Sequence, residues 1–371
     1  MTTLLRVVLD QLVAPTGAEQ AMASRELARA LVRTAPIGCA IEGLVPSSVD
    51  AAATLEASVP GLAELTRVAL PRRELAAAWQ LGVAPGVGGG MIHSPTMLAP
   101  LVKHDRVYDH DQTVITLWDF DAWERPDELS RPAVTWHRAM LKRAVKYADA
   151  VVVPTHAAAV RLAGLGAFGD RIRVISGAAP AGFSMPVDEI GRRRALGVPD
   201  GCLLVAGSSA PSARLADAFE AVAAAGTDLP VVVIDVPDGD EPAVVALAAA
   251  AGLAEARLCV RGALEDADRA AVLGGAVAVI APSVLTSFPW RVVEALALGV
   301  PVVASGSDVH REVVLDGGAV ADEDGSLGAA LALVLGSTSA VERYAVLAGD
   351  RGRAFSWRSA AERVWQLHAD L

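Results

Sequence analysis

APSVLTSFPWRVVEALALGVPVVA, residues 281–304, decides the fold. It reads as the end of a buried strand, a short polar turn, a helix opening at Pro289, a stop at Gly299 and a second buried strand at Val302 to Ala304. Proline suits a helix start, where its missing amide hydrogen costs little, and glycine suits a helix end. Strand, helix and strand in that order make one turn of an α/β winding. Such sheets bind ligands beyond the carboxyl ends of their strands, here at Thr286 to Phe288.

The same rhythm extends in both directions, which predicts parallel, doubly wound sheets. In the first half, strands are predicted at Leu4 to Asp10, Val114 to Trp118, Ala150 to Val153 and Ile172 to Ile175. Helices are predicted at Gly17 to Arg33, Ala133 to Ala148 and Thr155 to Leu165. The stretch from Ser176 to Phe183 breaks every period and reads as an interdomain linker. The second half restarts at Cys202 to Gly207, followed by strands at Val231 to Val236, Val277 to Ala281 and Val302 to Ala304. Helices are predicted at Ser212 to Ala225, Pro242 to Ala251, Asp266 to Leu273 and Pro289 to Leu298. A last amphipathic helix follows Phe355, with an internal Ser359-x-x-Glu362 capping signal. Gly86 to Gly90 lacks the spacing of a phosphate-binding fingerprint and reads as a flexible loop before a strand-like Met91 to His93.

The 371 residues suffice for two domains. Hydrophobic residues make up 53% and mean hydropathy is +0.40, yet no uninterrupted apolar stretch reaches the roughly 18 residues of a membrane span. The start lacks the pattern of a signal peptide and reads as the first strand of a cytoplasmic protein. A net charge of -11 argues against wholesale binding of nucleic acid or anionic lipid. Arg131, His137, Arg138, Lys142, Arg143, Lys146 and Tyr147 fall in one helical stretch, either a solvated face or a lipid-facing patch. Cys39, Cys202 and Cys259 are few and scattered, which predicts small buried hydrophobes rather than a disulfide framework or metal cluster.

The opening stretch resembles the nucleotide-sugar site of family 4 glycosyltransferases. There a Glu stands eight positions before the helix Glu, and the turn between them reads Gly-Phe-Gly or Gly-Phe-Pro. Phe288, Pro289 and Glu294 keep that pattern, and Thr286 takes the first Glu's place. The resemblance continues through Pro15-Thr16-Gly17-Ala18-Glu19, His93-Ser94-Pro95, Tyr147 to Pro154, Arg171 to Ile175 and Phe355-Ser356-Trp357. It implies an α/β fold of GT-B type, two doubly wound Rossmann-like domains facing across a cleft. Residues 1–178, joined by a crossover helix at 354–371, would form the acceptor-side domain, and residues 187–353 the nucleotide-sugar domain.

Transfer from a sugar nucleotide leaves negative charge on the diphosphate, which cations or oriented amides must hold. Where the family places an Arg and a Lys after Gly207, this chain has Ser208 and Ala213, with Arg214 one residue beyond; on a helix that is a turn of about 100°. Arg214 is therefore either a phosphate contact or a surface ion-pair residue. The amides at Thr286, Ser287 and Phe288, the dipole of the following helix and Arg291 are the other diphosphate candidates. Glu294 would accept hydrogen bonds from a ribose. Gly17 would let backbone approach the donor. Trp118 and Asp119, where the family commonly has His-Asp, would contact sugar or acceptor, although Trp118 would equally serve as a packing residue. The catalytic residue is not fixed by these motifs, with Asp119 and Glu294 the candidates.

The resemblance implies a retaining transferase with a nucleoside diphosphate sugar as donor, a glycan or lipid-linked acceptor and no metal or other cofactor. It would work in the cytoplasm, with transient contact at the inner face of the membrane, in synthesis of cell-envelope polysaccharide or glycolipid. The neutral Thr286, Ser208, Ala213 and Trp118 motivate an alternative, a non-catalytic protein of the same fold that partners another glycosyltransferase. A sugar-nucleotide epimerase is a third.

Overall fold

Short runs such as Val151-Val152-Val153 and Val231-Val232-Val233 are buried along their whole length, because helices cover both faces of a parallel sheet. The computed structural model describes residues 2–47, 51–84, 86–322 and 326–371. They divide into two units. One runs to Gly177 and takes back Ser356–Leu371; the other is Ala178–Phe355.

The first unit contains β1 (Thr3–Val8), α1 (Asp10–Val13), α2 (Ala18–Arg33), β2 (Cys39–Val45), α3 (Ala51–Ser58), β3 (Glu64–Arg67) and α4 (Arg72–Gln80). It continues with β4 (Met91–Ser94), β5 (Gln112–Thr116), α5 (Asp121–Glu124), α6 (Arg131–Tyr147), β6 (Ala150–Val153), α7 (His156–Leu165) and β7 (Ile172–Val174). Its seven parallel strands lie in the order β3-β2-β1-β4-β5-β6-β7, so the winding reverses between β1 and β4.

The second unit contains α8 (Glu189–Ala195), β8 (Cys202–Ala206), α9 (Leu215–Ala224), β9 (Val231–Ile234), α10 (Glu241–Ala250), β10 (Leu258–Val260) and α11 (Asp266–Gly274). Then come β11 (Ala276–Ala281), α12 (Trp290–Ala297), β12 (Val302–Ala304), α13 (Asp308–Val314), β13 (Gly318–Val320), α14 (Leu327–Leu335) and α15 (Thr338–Gly352). Six strands lie in the order β10-β9-β8-β11-β12-β13, all pairs parallel, and reverse between β8 and β11. The core beside α9 is built on Phe219, Val231, Val233 and Ile280.

The chain ends in α16 (Trp357–Asp370), which belongs to the first unit and packs on α2. Its Trp365 indole donates to the Leu31 carbonyl at 3.2 Å, and His368 Nδ1 lies 2.9 Å from Gln112 Oε1. Ser356, rather than Ser359, caps this helix, its hydroxyl accepting from the Ser359 amide at 3.4 Å.

Several boundaries depart from the sequence reading for local reasons. Pro289 is the residue before α12 rather than its first helical residue. The helix predicted from Ser212 begins only at Leu215, because Pro211–Ala213 forms a 3₁₀ turn and Arg214 adopts left-handed backbone at φ 53°. The strand from Val231 ends at Ile234, since Asp235 turns away at φ 62°. The strand predicted over Val114 to Trp118 lies two residues earlier, which puts Trp118 and Asp119 in the loop beyond it. The segment after Gly177 belongs with the second unit, where the Arg269 guanidinium lies 5.5 Å over the Phe183 ring. The Gly86 to Gly90 loop is held by Arg6, which donates to the Val87 and Gly89 carbonyls at 2.8 and 2.7 Å. Cys202 is buried, whereas Cys39 and Cys259 are half-buried. No single helix among the described residues is long and apolar enough to cross a membrane.

Candidate functional site

In the second unit the loops after β8 and β11 flank the point where the winding reverses, the position at which open α/β sheets bind ligands. The β8 loop turns at Gly207, whose φ of 147° disfavours any side chain, and an added Cβ would meet that of Ala213 at 3.2 Å. Ser209 then ties this loop to the one after β9. Asp240 accepts from the Ser209 amide at 2.7 Å and its hydroxyl at 2.5 Å, and these bonds hold the Asp240 carboxyl below its usual range. Ser208 is occupied locally, its hydroxyl accepting from the Ala210 amide at 3.3 Å. Arg214 pairs with Asp217 one turn on, the ion-pair alternative of the sequence reading. Because Arg214 precedes α9 with left-handed backbone, helical geometry does not apply to its direction.

The β11 loop brings Thr286, Ser287 and Phe288 to the start of α12. Ser287 is buried and Thr286 half-buried. The Phe288 ring is buried too, edge-on to Trp290 at 4.6 Å and Phe355 at 6.2 Å, so it packs inside the unit rather than offering a face to a ligand. The loop is braced from β12, where the Ser305 hydroxyl donates to the Ser283 carbonyl at 3.0 Å.

Glu294 is fully buried on α12, and two arginines hold it. Arg269, from α11, reaches both carboxylate oxygens at 3.0 to 3.2 Å, and Arg291 reaches both at 3.1 Å. Arg269 also donates to Asp266 at 2.7 Å and to the Leu264 carbonyl at 2.8 Å. Arg291 donates to Asp235 at 2.6 Å. Two cations are thus enclosed by three carboxylates, and neither a free ribose acceptor nor a free phosphate cation is present in this arrangement. The sequence reading named Glu294 and Arg291 and missed Asp235 and Arg269. Asp235 carries a sequence signal, an acid directly after an all-aliphatic strand; Arg269 carries none, because its spacing to Glu294 crosses a strand and a loop.

At the first unit's reversal point, Asp10 follows β1 and is buried. Its Oδ2 accepts from Arg72 and Gln11, each at 2.8 Å, while Oδ1 has no hydrogen-bond partner. Burial pushes its carboxyl above the usual range against the pull of Arg72. Asp10 was not singled out from sequence, although an acid at the end of the first strand is a legible sign. Gly17 precedes α2 in extended backbone, and a Cβ there would meet nothing, so close approach within the unit does not require glycine. Asp119 sits beside the first turn of α2, accepting from Gln20 Nε2 at 3.2 Å, and burial followed by the neighbouring Asp121 raises its carboxyl. Trp118 is buried, donates its indole N–H to the Pro95 carbonyl at 2.8 Å and meets Trp357 edge-on, which is the packing alternative. Gly17 and Asp119 therefore share one neighbourhood through α2, and Thr286, Ser287, Arg291 and Glu294 share another.

Residues 199–343, within the second unit, match the family described as Glycosyl transferases group 1. A phosphatidyl-myo-inositol mannosyltransferase of Mycobacterium leprae is 32% identical over 112 residues, 29% of this chain and 30% of that protein's length. Sucrose-phosphate synthase from Thermosynechococcus elongatus superposes with a TM-score of 0.71 at 16% identity, covering 99% of this chain and 98% of its own. HepE of Anabaena, in complex with UDP-glucose, gives 0.71 at 17% identity, covering 99% and 100%. WaaG, a glycosyltransferase involved in lipopolysaccharide biosynthesis, gives 0.67 at 13% identity, covering 97% and 98%. The fold is that of the GT-B glycosyltransferases.

Proposed function

We propose that this chain is a retaining glycosyltransferase that moves a hexose from a nucleoside diphosphate sugar to a glycan or lipid-linked acceptor. Its setting is the synthesis of cell-envelope polysaccharide or glycolipid, in the cytoplasm and at the inner face of the membrane. The observation that carries the reading is the Glycosyl transferases group 1 match over residues 199–343, which contains the whole Thr286 to Glu294 edge at the reversal point. The nucleotide in HepE supports a sugar nucleotide as donor, and the mannosyltransferase relative supports a hexose and a lipid acceptor. In the reaction the bond from the anomeric carbon to the β-phosphate oxygen breaks, a bond to the acceptor oxygen forms, and the hydroxyl proton leaves with the nucleoside diphosphate.

Amides at Ser287 and Phe288, ahead of α12, hold the diphosphate in this reading, aided by the helix dipole. Arg291 exchanges Asp235 for phosphate and frees one side of Glu294 for the ribose. Gly17 and Asp119 serve the acceptor-side unit, and no metal takes part. The second reading, a non-catalytic partner of another glycosyltransferase, is favoured by the complete enclosure of Glu294 by Arg269 and Arg291.

A thermal-shift panel of nucleoside diphosphates and their sugars tests the proposal, because a ligand that binds only the native state raises the midpoint. One base should shift it, Glu294→Ala should abolish the shift, and nucleoside diphosphate release should follow in the presence of EDTA. No shift at millimolar ligand, together with a stable complex with an active glycosyltransferase, would replace this reading by the second.

A further inference from the structure

A chain of net charge -11 gathers cations at one place, the amino-terminal edge of the first unit's sheet. Lys103, His104 and Arg106 precede β5, Lys146 to Asp149 precede β6, and Arg171 precedes β7. Together they line a cavity of about 540 Å³. That size falls in the roughly 300–1,000 Å³ range of small-ligand sites. The cavity lies at the opposite end of the strands from Asp10, Gly17 and Asp119, so it is separate from the edge discussed above.

Each charge in the wall has a distinct assignment. Arg171 is structural: it donates to the carbonyls of Val145, Ala148 and Phe168 at 2.7 to 3.0 Å, closing the end of α6. Asp149, the one carboxylate in the wall, is satisfied by the Thr113 amide at 2.7 Å and His104 Nε2 at 2.8 Å. Lys103, Arg106 and Lys146 are exposed and none is ion-paired at contact distance among the described residues, although the charge of Arg106 also favours the ionised Asp149 carboxylate. Lys146 stands 5.0 Å from the centre of the Tyr147 ring, whose hydroxyl adds a hydrogen-bonding group to the rim. By contrast, Arg138 and Arg143 of the same helix are spent on the carbonyls of Ala122 and Leu101.

We propose that this cavity binds a phosphate group, held by Lys103, Arg106 and Lys146. Three exposed cationic donors at the wall of one cavity suit a tetrahedral anion, for which lysine acts as a point charge and arginine as a fork. Two carriers share that chemistry, a soluble phosphomonoester and a phospholipid headgroup. Val107 and Tyr108, 71% and 82% exposed on the same loop, would stand at the level of the acyl boundary in the second case.

The test titrates the full chain with glycerol phosphate by calorimetry at low salt. In parallel, it is sedimented with phosphatidylcholine vesicles with and without phosphatidylglycerol. Lys103→Ala with Lys146→Ala should weaken the response about tenfold or more, the loss expected for charged hydrogen bonds. Arg353→Ala with Arg358→Ala, an equal charge change at exposed positions after α15 and on α16, should not. Both substituted lysines are exposed, and an unchanged melting midpoint of the double variant separates lost binding from lost fold. Binding of glycerol phosphate alone assigns a soluble ligand; sedimentation with phosphatidylglycerol alone assigns the headgroup. No binding of either, or equal binding by the double variant, overturns the proposal. Neither result bears on nucleotide-sugar binding by the second unit.

Discussion

Three histidines are buried where a proton has no place. Burial lowers His93 well below the usual histidine value, with His368 opposing the same proton, and lowers His310 and His368 to about 4. A folded-state value below the unfolded one, near 6.5, means that the unfolded chain takes up protons first. Stability is then full above about pH 6.5 and falls as pH drops toward 4. His310 and His368 alone would remove roughly 3 kcal/mol each by pH 4, a large part of a typical total. Burial raises Asp10 and Asp119, which therefore bind protons more readily when folded and offset part of this loss at the lower end. His104, raised chiefly by its bond to Asp149, contributes stability that is present below pH 6.5 and lost as pH rises through its higher folded value. Urea midpoints should accordingly fall from pH 7 to pH 5, and His368→Gln should flatten that slope. A midpoint independent of pH over this range, unchanged by His368→Gln, would show that the His368 ring takes up its proton as readily in the folded chain as in the unfolded one.

At the scale of elements, legibility followed length and burial. β6, β8, β11 and β12, with α12 between the last two, were readable because each is a run of buried aliphatic residues bounded by Gly, Pro or a polar turn. β3, β10 and β13 were not, since strands of three or four residues at or next to a sheet edge carry no period. β2 was hidden by Glu42, a charge inside a strand that becomes tolerable only when Arg6 pairs with it at 2.9 Å across 36 positions. The candidate edge was legible as the Thr286 to Glu294 motif, but the clamp on Glu294 was not, because Arg269 arrives from another helix. Capping shows the same limit at short range. Ser359 fits the capping-box pattern, yet the hydroxyl that meets the open amides of α16 is that of Ser356. Ser356→Ala should cost about 1 kcal/mol, whereas Ser359→Ala should cost only a few tenths. Equal losses for the two in urea melts would return the cap to Ser359.

For the whole molecule, the consequential fact is that one unit is continuous in sequence and the other is not. The second unit carries its own six-stranded sheet and core within Ala178–Phe355, so a fragment of those residues contains every partner its core needs. The first unit depends on α16, which buries Trp357, Val364, Trp365 and Leu367 and ties Trp365 to Leu31 and His368 to Gln112. Burying a side chain of that kind is worth roughly 1.5–3 kcal/mol, so four together approach or exceed the whole stability of an ordinary domain. Fragment 178–355 should therefore melt cooperatively by itself, while fragment 2–177 should show no cooperative transition until α16 is restored, for instance by a short linker from Gly177. A cooperative melt of 2–177 without α16 would mean that the seven-stranded sheet holds its own core, and that the last helix serves the first unit as cover rather than as part of its fold.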